Sequence, residues 1–299
     1  MSRYRFIAAE KEAAQSVSRV CVMLAISRSA FYKWANQVPS PRARQDAVLD
    51  ERIGSIHAAS RGTYGAPRVH RQLRREGIIC GKKRVARLMV ARGLTGRCRR
   101  RGKRTTIADP QAETMAPDLL QRAFQPDGRE VNQVWVGDIS YLRTWEGWCY
   151  LATVMDLASR RIVGFAVADH MQTSLVGDAL TMAIAARRPV PGLVFHSDRG
   201  SQYTSREFTA LLHANGMRQS LSRPRQCWDN AVAESFFGTL KTELVYRQPW
   251  PSRAAVRRAV FEYSEVFYNR RRLHSSLGYR SPAEYEYARL GSGGSAFAA

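Results

Sequence analysis

The stretch from Phe195 to Lys241 constrains the fold most strongly, because it places acidic residues at the end of a predicted strand and on a predicted helix. The segment LVFHSD is a short apolar run that ends in polar residues. This pattern predicts a buried strand followed by a turn at Arg199-Gly200. Asp198 therefore stands at the carboxyl end of a strand, where open α/β sheets bind their ligands.

Glu234 lies on a predicted helix further along the same stretch. Asp229 or Asn230 is a natural N-cap for that helix. Glu234 and Lys241 are seven residues apart, which is two helical turns, so they share one charged face. The apolar residues with helical spacing are Val232, Phe236, Phe237 and Leu240.

A third acid, Asp138, lies in the middle of VWVGDISYL, a predicted strand of about nine residues. A carboxylate in such an apolar segment is costly unless it is paired or bound to a metal. Mg²⁺ is typically held by a few carboxylates together with a substrate phosphate. We therefore predict that Asp138, Asp198 and Glu234 hold two Mg²⁺ (or Mn²⁺) ions for phosphodiester chemistry. Lys241 is predicted to hold the DNA backbone as a point charge.

These acids and the residues around them carry a family resemblance. There are 35 residues between Asp198 and Glu234, and a lysine follows the glutamate by seven. This spacing resembles the D,D(35)E-K signature of retroviral integrases and bacterial insertion-sequence transposases. Over about residues 45 to 288 the chain resembles the OrfB transposases of the IS-three group, although Gly137 stands where that family often has threonine. The segments that carry the resemblance are GDISYLRTWEGWCYLATVMDLASRRIVGFAV, FHSDRGSQYTS, WDNAVAESFFGTLKTEL and YNRRRLHSSLGYRSPAEYE.

The resemblance implies an α/β ribonuclease H-like catalytic core, a mixed sheet with flanking helices, preceded by all-α helix-turn-helix DNA-binding modules. In that fold the first strand, the fourth strand and the last helix converge, which would bring the three acids together. The implied function is a DNA transposase that cleaves insertion-sequence ends with water and then joins the freed 3′-OH to DNA. The implied partners are the double-stranded DNA of the transposon ends and target, further copies of the chain on that DNA, and a separate OrfA-type protein.

Positive charge is concentrated in the N-terminal third of the chain. The formal net charge is +22; residues 1–108 hold 25 Lys and Arg against 6 Asp and Glu, and the remainder holds 22 against 19. This asymmetry favours a DNA-binding N-terminal part and a separate catalytic body. An anionic membrane is the competing partner, but no long basic amphipathic helix with an aromatic face is visible, so we expect no membrane partner.

The first helical module is predicted at residues 1–40. An apolar stripe from Val17 to Leu24 and a second helix carrying Phe31, Tyr32 and Trp34 resemble a helix-turn-helix, whose second helix would enter the major groove. A plain helical hairpin with its own core is the alternative. Pro39 and Pro41 indicate a linker after it.

The second helical module, with a basic arm, is predicted at residues 46–104. From Lys82 to Arg104 there are eleven Lys and Arg and no acid. A helix followed by an arm that binds phosphates explains this run, and a disordered basic tail is the alternative. The remaining segments are predicted as a linker at 105–130, the ribonuclease H-like integrase catalytic core at 131–247, a C-terminal helical extension at 248–290 and a flexible tail at 291–299.

Several basic side chains are predicted to bind DNA. Those near the second module would contact phosphates. Those in the loop before the Glu234 helix would splay terminal bases, and a solvated surface loop is the alternative there. Besides Lys241, the candidates are Lys82, Lys83, Arg84, Arg87, Arg99, Arg100, Arg101, Arg223 and Arg225.

Four other polar residues are predicted to lie outside the chemistry. Asp156 ends an apolar strand and begins a turn. Glu243 follows Glu234 by nine residues and lies on a different helical face. His196 and Gln202 flank the site and are expected to have structural or DNA-positioning roles.

Other features narrow the class of protein. The five cysteines are scattered without a CxxC pair, so we expect reduced thiols, and the His-His-Cys-Cys zinc module of retroviral integrases is not visible. No apolar run reaches the 18 or more residues of a membrane-spanning helix, and the N-terminus has no signal-peptide core. We expect a cytoplasmic, nucleoid-associated bacterial protein.

Two other functions are compatible with the sequence. One is a metal-dependent nuclease of the same fold that hydrolyses DNA without joining it; the N-terminal modules favour the transposase, since a simple nuclease needs no site-recognition part. The other is a non-catalytic, regulatory DNA-binding remnant, which would be free to lose any of the three acids.

Overall fold

The N-terminal module packs three helices around a small core of its own. Its core residues are Ile7, Cys21 and Phe31. Ser27 caps the third helix, because its hydroxyl accepts a hydrogen bond from the amide of Ala30 at 3.1 Å. The helices are α1 (Arg3–Glu12), α2 (Val17–Met23) and α3 (Arg28–Ala35).

The computed structural model describes residues 2–36, 39–98, 116–120, 125–126, 128–223 and 231–293.

The sequence pattern predicted α2 and α3 but missed α1, which has almost no amphipathic stripe. The predicted linker at Pro41 was also wrong. Pro41 is the first residue of the next helix, where the fixed φ of proline is favourable and its missing N–H is not needed. The hydroxyl of Ser40 accepts a hydrogen bond from the amide of Ala43 at 3.1 Å and caps that helix.

The second module also consists of three helices. Gly65 is the N-cap of the middle helix, and Pro67 lies in its first turn. The apolar sides of the three helices pack on one another through Ile53, Val69 and Val85. The helices are α4 (Pro41–Ala59), α5 (Ala66–Arg75) and α6 (Lys82–Ala91).

A mixed sheet forms the centre of the chain. Its strands are β1 (Val134–Thr144), β2 (Gly147–Asp156), β3 (Ile162–Ala168), β4 (Val194–Ser197) and β5 (Arg218–Leu221). They lie in the order β3-β2-β1-β4-β5. β1, β2 and β3 pair antiparallel, whereas β4 and β5 run parallel to β1. A hairpin turn at TWEG joins β1 to β2, where Thr144 pairs with Gly147 and its hydroxyl donates to the Gly147 carbonyl at 2.8 Å.

Helices cover both faces of this sheet. One face packs against the helix that follows β3; a β-carbon on Gly164 would stand 2.2 Å from the carbonyl oxygen of Ala179, so only glycine permits this close approach. The last helix of the group contacts β1 on the other side. These helices are α7 (Thr173–Arg187), α8 (Ser201–Thr204), α9 (Arg206–Ala214) and α10 (Ala231–Glu243).

A C-terminal extension follows α10. The predicted amphipathic helix there begins as α11 (Arg253–Phe261) and continues as a π-helical segment (Glu262–Tyr268). The chain then turns through Gly278 into α12 (Pro282–Gly293).

The alternation of β1 distributes its side chains between two cores, as a strand period of two requires. Trp135 points into the core under α7 and α9. Val136 and Leu142 point into a larger core that also contains residues of the second module, of α10 and of the C-terminal extension, among them Val69, Leu240 and Tyr263. The second module is therefore packed onto the sheet through a shared hydrophobic core, whereas the first module has a core of its own.

Candidate active site

The parallel pairing of β1 with β4 sets the positions of two acids. Val136 is opposite His196 in this pairing. Asp138 and Asp198 each lie two residues further along. Because side chains alternate between the two faces of a strand, a step of two residues keeps each acid on the same face as Val136 and His196, toward the carboxyl-terminal end of the strand pair. Asp198 comes directly after the last residue of β4.

The carboxyl group of Asp138 interacts electrostatically with both of the other acids. Burial raises the pKa of its carboxyl group to about 8; repulsion from Asp198 and Glu234 adds to this rise, and Lys241 opposes it. The amide of Ile139 donates a hydrogen bond to Asp138 Oδ1 at 2.8 Å. Asp138 is thus close enough to both Asp198 and Glu234 to be repelled by them, and a nearby cation would relieve this repulsion.

Asp198 and Glu234 are more exposed than Asp138. The carboxylate of Asp198 is held in the turn after β4, where its Oδ1 accepts a hydrogen bond from the amide of Gly200 at 3.0 Å. Glu234 lies in the first turn of α10. Both side chains are accessible to a substrate as large as DNA.

Lys241 lies at the other end of α10 and reaches β1. Its Nζ is 4.9 Å from the centroid of the Tyr141 ring, a cation–π distance. Partial burial lowers the pKa of Lys241, and the attraction of Asp138 opposes that decrease. Lys241 therefore lies close enough to Asp138 to interact with it electrostatically.

Two aromatic rings fill the space beside Gly137, the residue before Asp138. A β-carbon on Gly137 would stand 2.5 Å from Phe195 Cζ and 3.2 Å from Tyr203 Cε1. These rings leave no room for a larger side chain at position 137. Burial raises the pKa of Tyr203 well above its usual value, with Asp138 and Asp198 adding to the effect, so its phenol stays neutral. Sequence reasoning overlooked Tyr203, although it lies five residues after Asp198 in the quoted segment FHSDRGSQY.

His196 is a structural residue of the sheet. It is buried, and its Nδ1 lies 2.9 Å from Ser220 Oγ on β5. Its Nε2 lies 3.4 Å from Ser222 Oγ. These contacts fix the β4–β5 pair below Asp198, as expected for a residue outside the ligand set. Gln202 also has a structural contact, because its Nε2 donates to the carbonyl of Met171 at 2.8 Å.

Asp156 holds a turn, as the sequence predicted. Its Oδ1 accepts a hydrogen bond from the amide of Ser159, and its Oδ2 accepts one from the amide of Asn132, at 2.8 and 2.7 Å. Asn132 has a positive φ, which the hydrogen bond helps to stabilise.

Glu243 faces away from the three acids, as predicted, but it has a strong structural partner. It is buried and accepts two hydrogen bonds from Arg272 at 2.8 Å and one from the Tyr263 hydroxyl at 2.8 Å. Arg68 of the second module lies 3.9 Å away. Glu243 therefore connects α10, the C-terminal extension and α5 in one ionic cluster.

The predicted DNA-binding side chains have different surroundings. Arg84 and Arg87 both bind Asp46, at 2.6 and 2.5 Å, and so attach α6 to α4. Lys82 and Lys83 are exposed at the start of α6. Arg223 pairs with Asp118 at 3.5 Å. Outside the described residues lie Arg99, Arg100, Arg101 and Arg225.

The acids fit a hard divalent cation in their chemistry, because carboxylate oxygens are the ligands that Mg²⁺ prefers. Within the described ranges, no three His, Cys, Asp or Glu side chains are close enough to hold an ion as they stand. Electrostatic repulsion acts over longer distances than a metal–oxygen bond of about 2.0–2.1 Å, so the repulsion felt by Asp138 does not require the acids to be at ligand distance from one ion.

Comparison with protein families defines the class of the chain. Models described as "Integrase core domain" match residues 128–227 and 215–282. A model described as "HTH-like domain" matches residues 43–102. The chain thus has an integrase core domain, preceded by a helix-turn-helix-like domain.

Comparison with individual proteins defines the family. The chain is 36% identical to the transposase InsF for insertion sequence IS3A of Escherichia coli, over 96% of this chain and 99% of the relative. It is 40% identical to a 31 kDa protein of insertion element IS600 of Shigella sonnei, over 89% and 97%. The chain belongs to this family of insertion-sequence transposases and is a DNA transposase with an integrase core.

The solved structures similar to this chain include the HTLV-2 integrase catalytic core domain in complex with magnesium. It is 16% identical to this chain, with a TM-score of 0.41, and the match covers 53% of this chain and 99% of that one.

Within the part that the structure describes, there is no helix long and apolar enough to cross a membrane.

Proposed function

We propose that this transposase cleaves and joins DNA ends at the site formed by Asp138, Asp198 and Glu234, with Lys241 binding the DNA end. The observation that carries this proposal is the β1–β4 register together with the contact of α10 on β1. These two features support a common site for the three acids and the lysine at one side of the sheet. Phosphodiester transfer requires such a group of oxygen ligands next to a cation for the DNA backbone.

The three carboxylates would hold two Mg²⁺ or Mn²⁺ ions, which would polarise the attacking and leaving oxygens of the phosphodiester when bound. Ile139 orients Asp138 through its amide, and Gly200 orients Asp198 in the same way. Lys241 supplies positive charge where the phosphate of the DNA end would lie, since its neighbour Asp138 marks the reacting position. No protein nucleophile is required.

The partners follow from the same proposal. The second module and the exposed residues Lys82 and Lys83 would contact the phosphates of transposon-end DNA. Two ends must be brought together for transposition, so we propose that several copies of the chain assemble on DNA. An OrfA-type protein is the proposed additional partner, and the bacterial cytoplasm is the proposed location.

The test uses purified full-length chain, a labelled duplex carrying the terminal repeat of its own element, and a supercoiled target. The proposal predicts joined products that require Mg²⁺ or Mn²⁺. Cleaved but unjoined DNA would indicate a hydrolytic nuclease. A shifted but intact duplex, with the OrfA-type protein also present, would indicate a binding protein and would refute the proposal.

A further inference from the structure

The tip of the β1–β2 hairpin carries an unusual group of exposed aromatic side chains. Trp145 is 75% exposed and Trp148 is 47% exposed. Tyr141 precedes them on β1, and Tyr246 approaches from the segment after α10; both are also exposed. Contiguous exposed apolar surface of this kind marks a binding site more often than a solvated surface.

These side chains surround a cavity of about 530 Å³, which we call the aromatic pocket. A cavity of this size can hold a group as large as a nucleoside. The pocket is lined by the four exposed rings, by the buried ring of Trp250, and by Lys241 and Arg143. Lys241 thus belongs both to the aromatic pocket and to the surroundings of Asp138.

The pocket is held in place by hydrogen bonds between the hairpin and the C-terminal extension. The amide of Trp145 donates to the carbonyl of Trp250 at 3.0 Å. Arg253 binds the turn and the second strand of the hairpin, since its amide donates to Glu146 Oε2 at 2.8 Å and its Nε donates to the Trp148 carbonyl at 3.1 Å. The aromatic rings therefore lie on an ordered support, which reduces the entropy lost when a ligand binds.

Positive charge is interleaved with the rings. The Arg143 guanidinium is 5.9 Å from the centroid of Trp148, and Lys241 Nζ is 4.9 Å from that of Tyr141. The acid at the hairpin tip, Glu146, is already bound by the amide of Arg253. Aromatic faces next to cations are the features that bind unpaired nucleotides, with bases stacked on rings and phosphates on the cations.

We propose that the aromatic pocket binds an unpaired nucleotide at the end of the DNA substrate, with its base stacked on Trp145 or Trp148. The inference rests on the proposed function in one respect, which is that Lys241 lies at the DNA end. If the terminal base pairs are separated, the reacting strand is free to reach Asp138, Asp198 and Glu234. A second copy of this chain is the competing occupant, and charge favours the nucleotide, because Arg143 and Lys241 line the pocket and would attract a phosphate.

The test measures binding without divalent cations and with the full-length Glu234→Gln chain, so it is independent of cleavage. Two transposon-end duplexes are compared by fluorescence anisotropy, one fully paired and one with its last three base pairs mismatched. We expect tighter binding to the mismatched end. Loss of one stacked ring corresponds to about 5- to 150-fold in affinity, so Trp145→Ala combined with Trp148→Ala is expected to remove the preference.

Two matched variants complete the design. Trp145→Phe keeps a ring and is expected to retain most of the preference. Tyr287→Ala removes a ring that is 80% exposed on α12, far along the chain from the pocket, and is expected to change nothing. The ratio of the two affinities is unaffected by a general loss of folded protein, because such a loss lowers both.

A photocrosslink identifies the contact directly. With 5-iododeoxyuridine at the mismatched end, the inference predicts crosslinked peptides that contain residues 141–148 or Tyr246. Equal affinity for the paired and mismatched ends, or crosslinks that map elsewhere, would overturn it. A change of oligomeric state in Trp145→Ala without DNA, with the affinity ratio unaltered, would assign the pocket to contacts between copies and would also overturn it.

Discussion

Removing the charge of Glu243 is predicted to destabilise the chain more than any other single change of a glutamate to glutamine described here. The side chains of Glu243 and Arg272 are only 3% and 6% exposed. Burial opposes the charged form of Arg272, but its hydrogen bonds to Glu243 outweigh this and raise its pKa above the usual value. Glu243→Gln would therefore leave a buried guanidinium without its counter-charge.

The expected loss is about 3–5 kcal/mol in the free energy of unfolding, which is the cost of breaking one buried ion pair. This corresponds to a fall in Tm of roughly 6–20 °C for a chain of this size. Glu262→Gln is the matched control, because Glu262 pairs with Arg61 at 3.4 Å but is 61% exposed. An exposed pair contributes about 0–1 kcal/mol, so a shift below roughly 4 °C is expected there.

Thermal unfolding followed by circular dichroism measures both variants at one protein concentration. A second variant, Glu243→Gln with Arg272→Met, removes both charges of the buried pair and is predicted to recover part of the lost stability, because the fully buried guanidinium is gone and only Arg68, which is 23% exposed, loses a counter-charge. Equal Tm shifts in Glu243→Gln and Glu262→Gln would refute the reasoning. A double variant less stable than Glu243→Gln would contradict its electrostatic basis.

Three further predictions concern the site and the DNA. Gly137→Thr is expected to lower Tm and joining activity, because its β-carbon would overlap Phe195, and Phe195→Leu in the same chain is expected to restore part of both. Lys82→Ala is expected to weaken DNA binding and reduce its salt dependence by about one unit of slope; Arg84→Ala is expected to lower Tm instead, because Arg84 binds Asp46. Chelation of divalent cations by EDTA is expected to abolish joining while leaving the DNA gel shift intact, since cationic side chains supply that binding.

Much of the fold was predictable from local patterns. The strands around Asp138 and Asp198 are apolar and β-branched or aromatic, and these patterns placed them within two residues of their observed positions. The spacing of Glu234 and Lys241 predicted one shared helical face, and both residues are on α10. These features are set by residues that are close together in the sequence, so local patterns are enough to predict them.

The prediction that the three acids converge depended on the family resemblance. No local pattern could supply it, because the register of β1 against β4 pairs residues that are about 60 positions apart in the sequence. Glu243 shows the same difficulty. Its helical phase predicted that it lies away from the acids, but its partners Arg272 and Arg68 are on other parts of the chain, and no local pattern connects them. The requirement for glycine at position 137 is likewise visible only in the structure, where the Phe195 ring occupies the space that a side chain would need.

The role of Glu234 in joining is measured by comparing Glu234→Gln with Glu207→Gln in the strand-transfer assay. Glu207 is also exposed and lies in the first turn of a helix, α9, so the two changes are chemically matched. We expect normal joining by Glu207→Gln and no joining by Glu234→Gln, with equal DNA binding by both. Joining by Glu234→Gln at the rate of the unmodified chain would contradict the assignment of the active site.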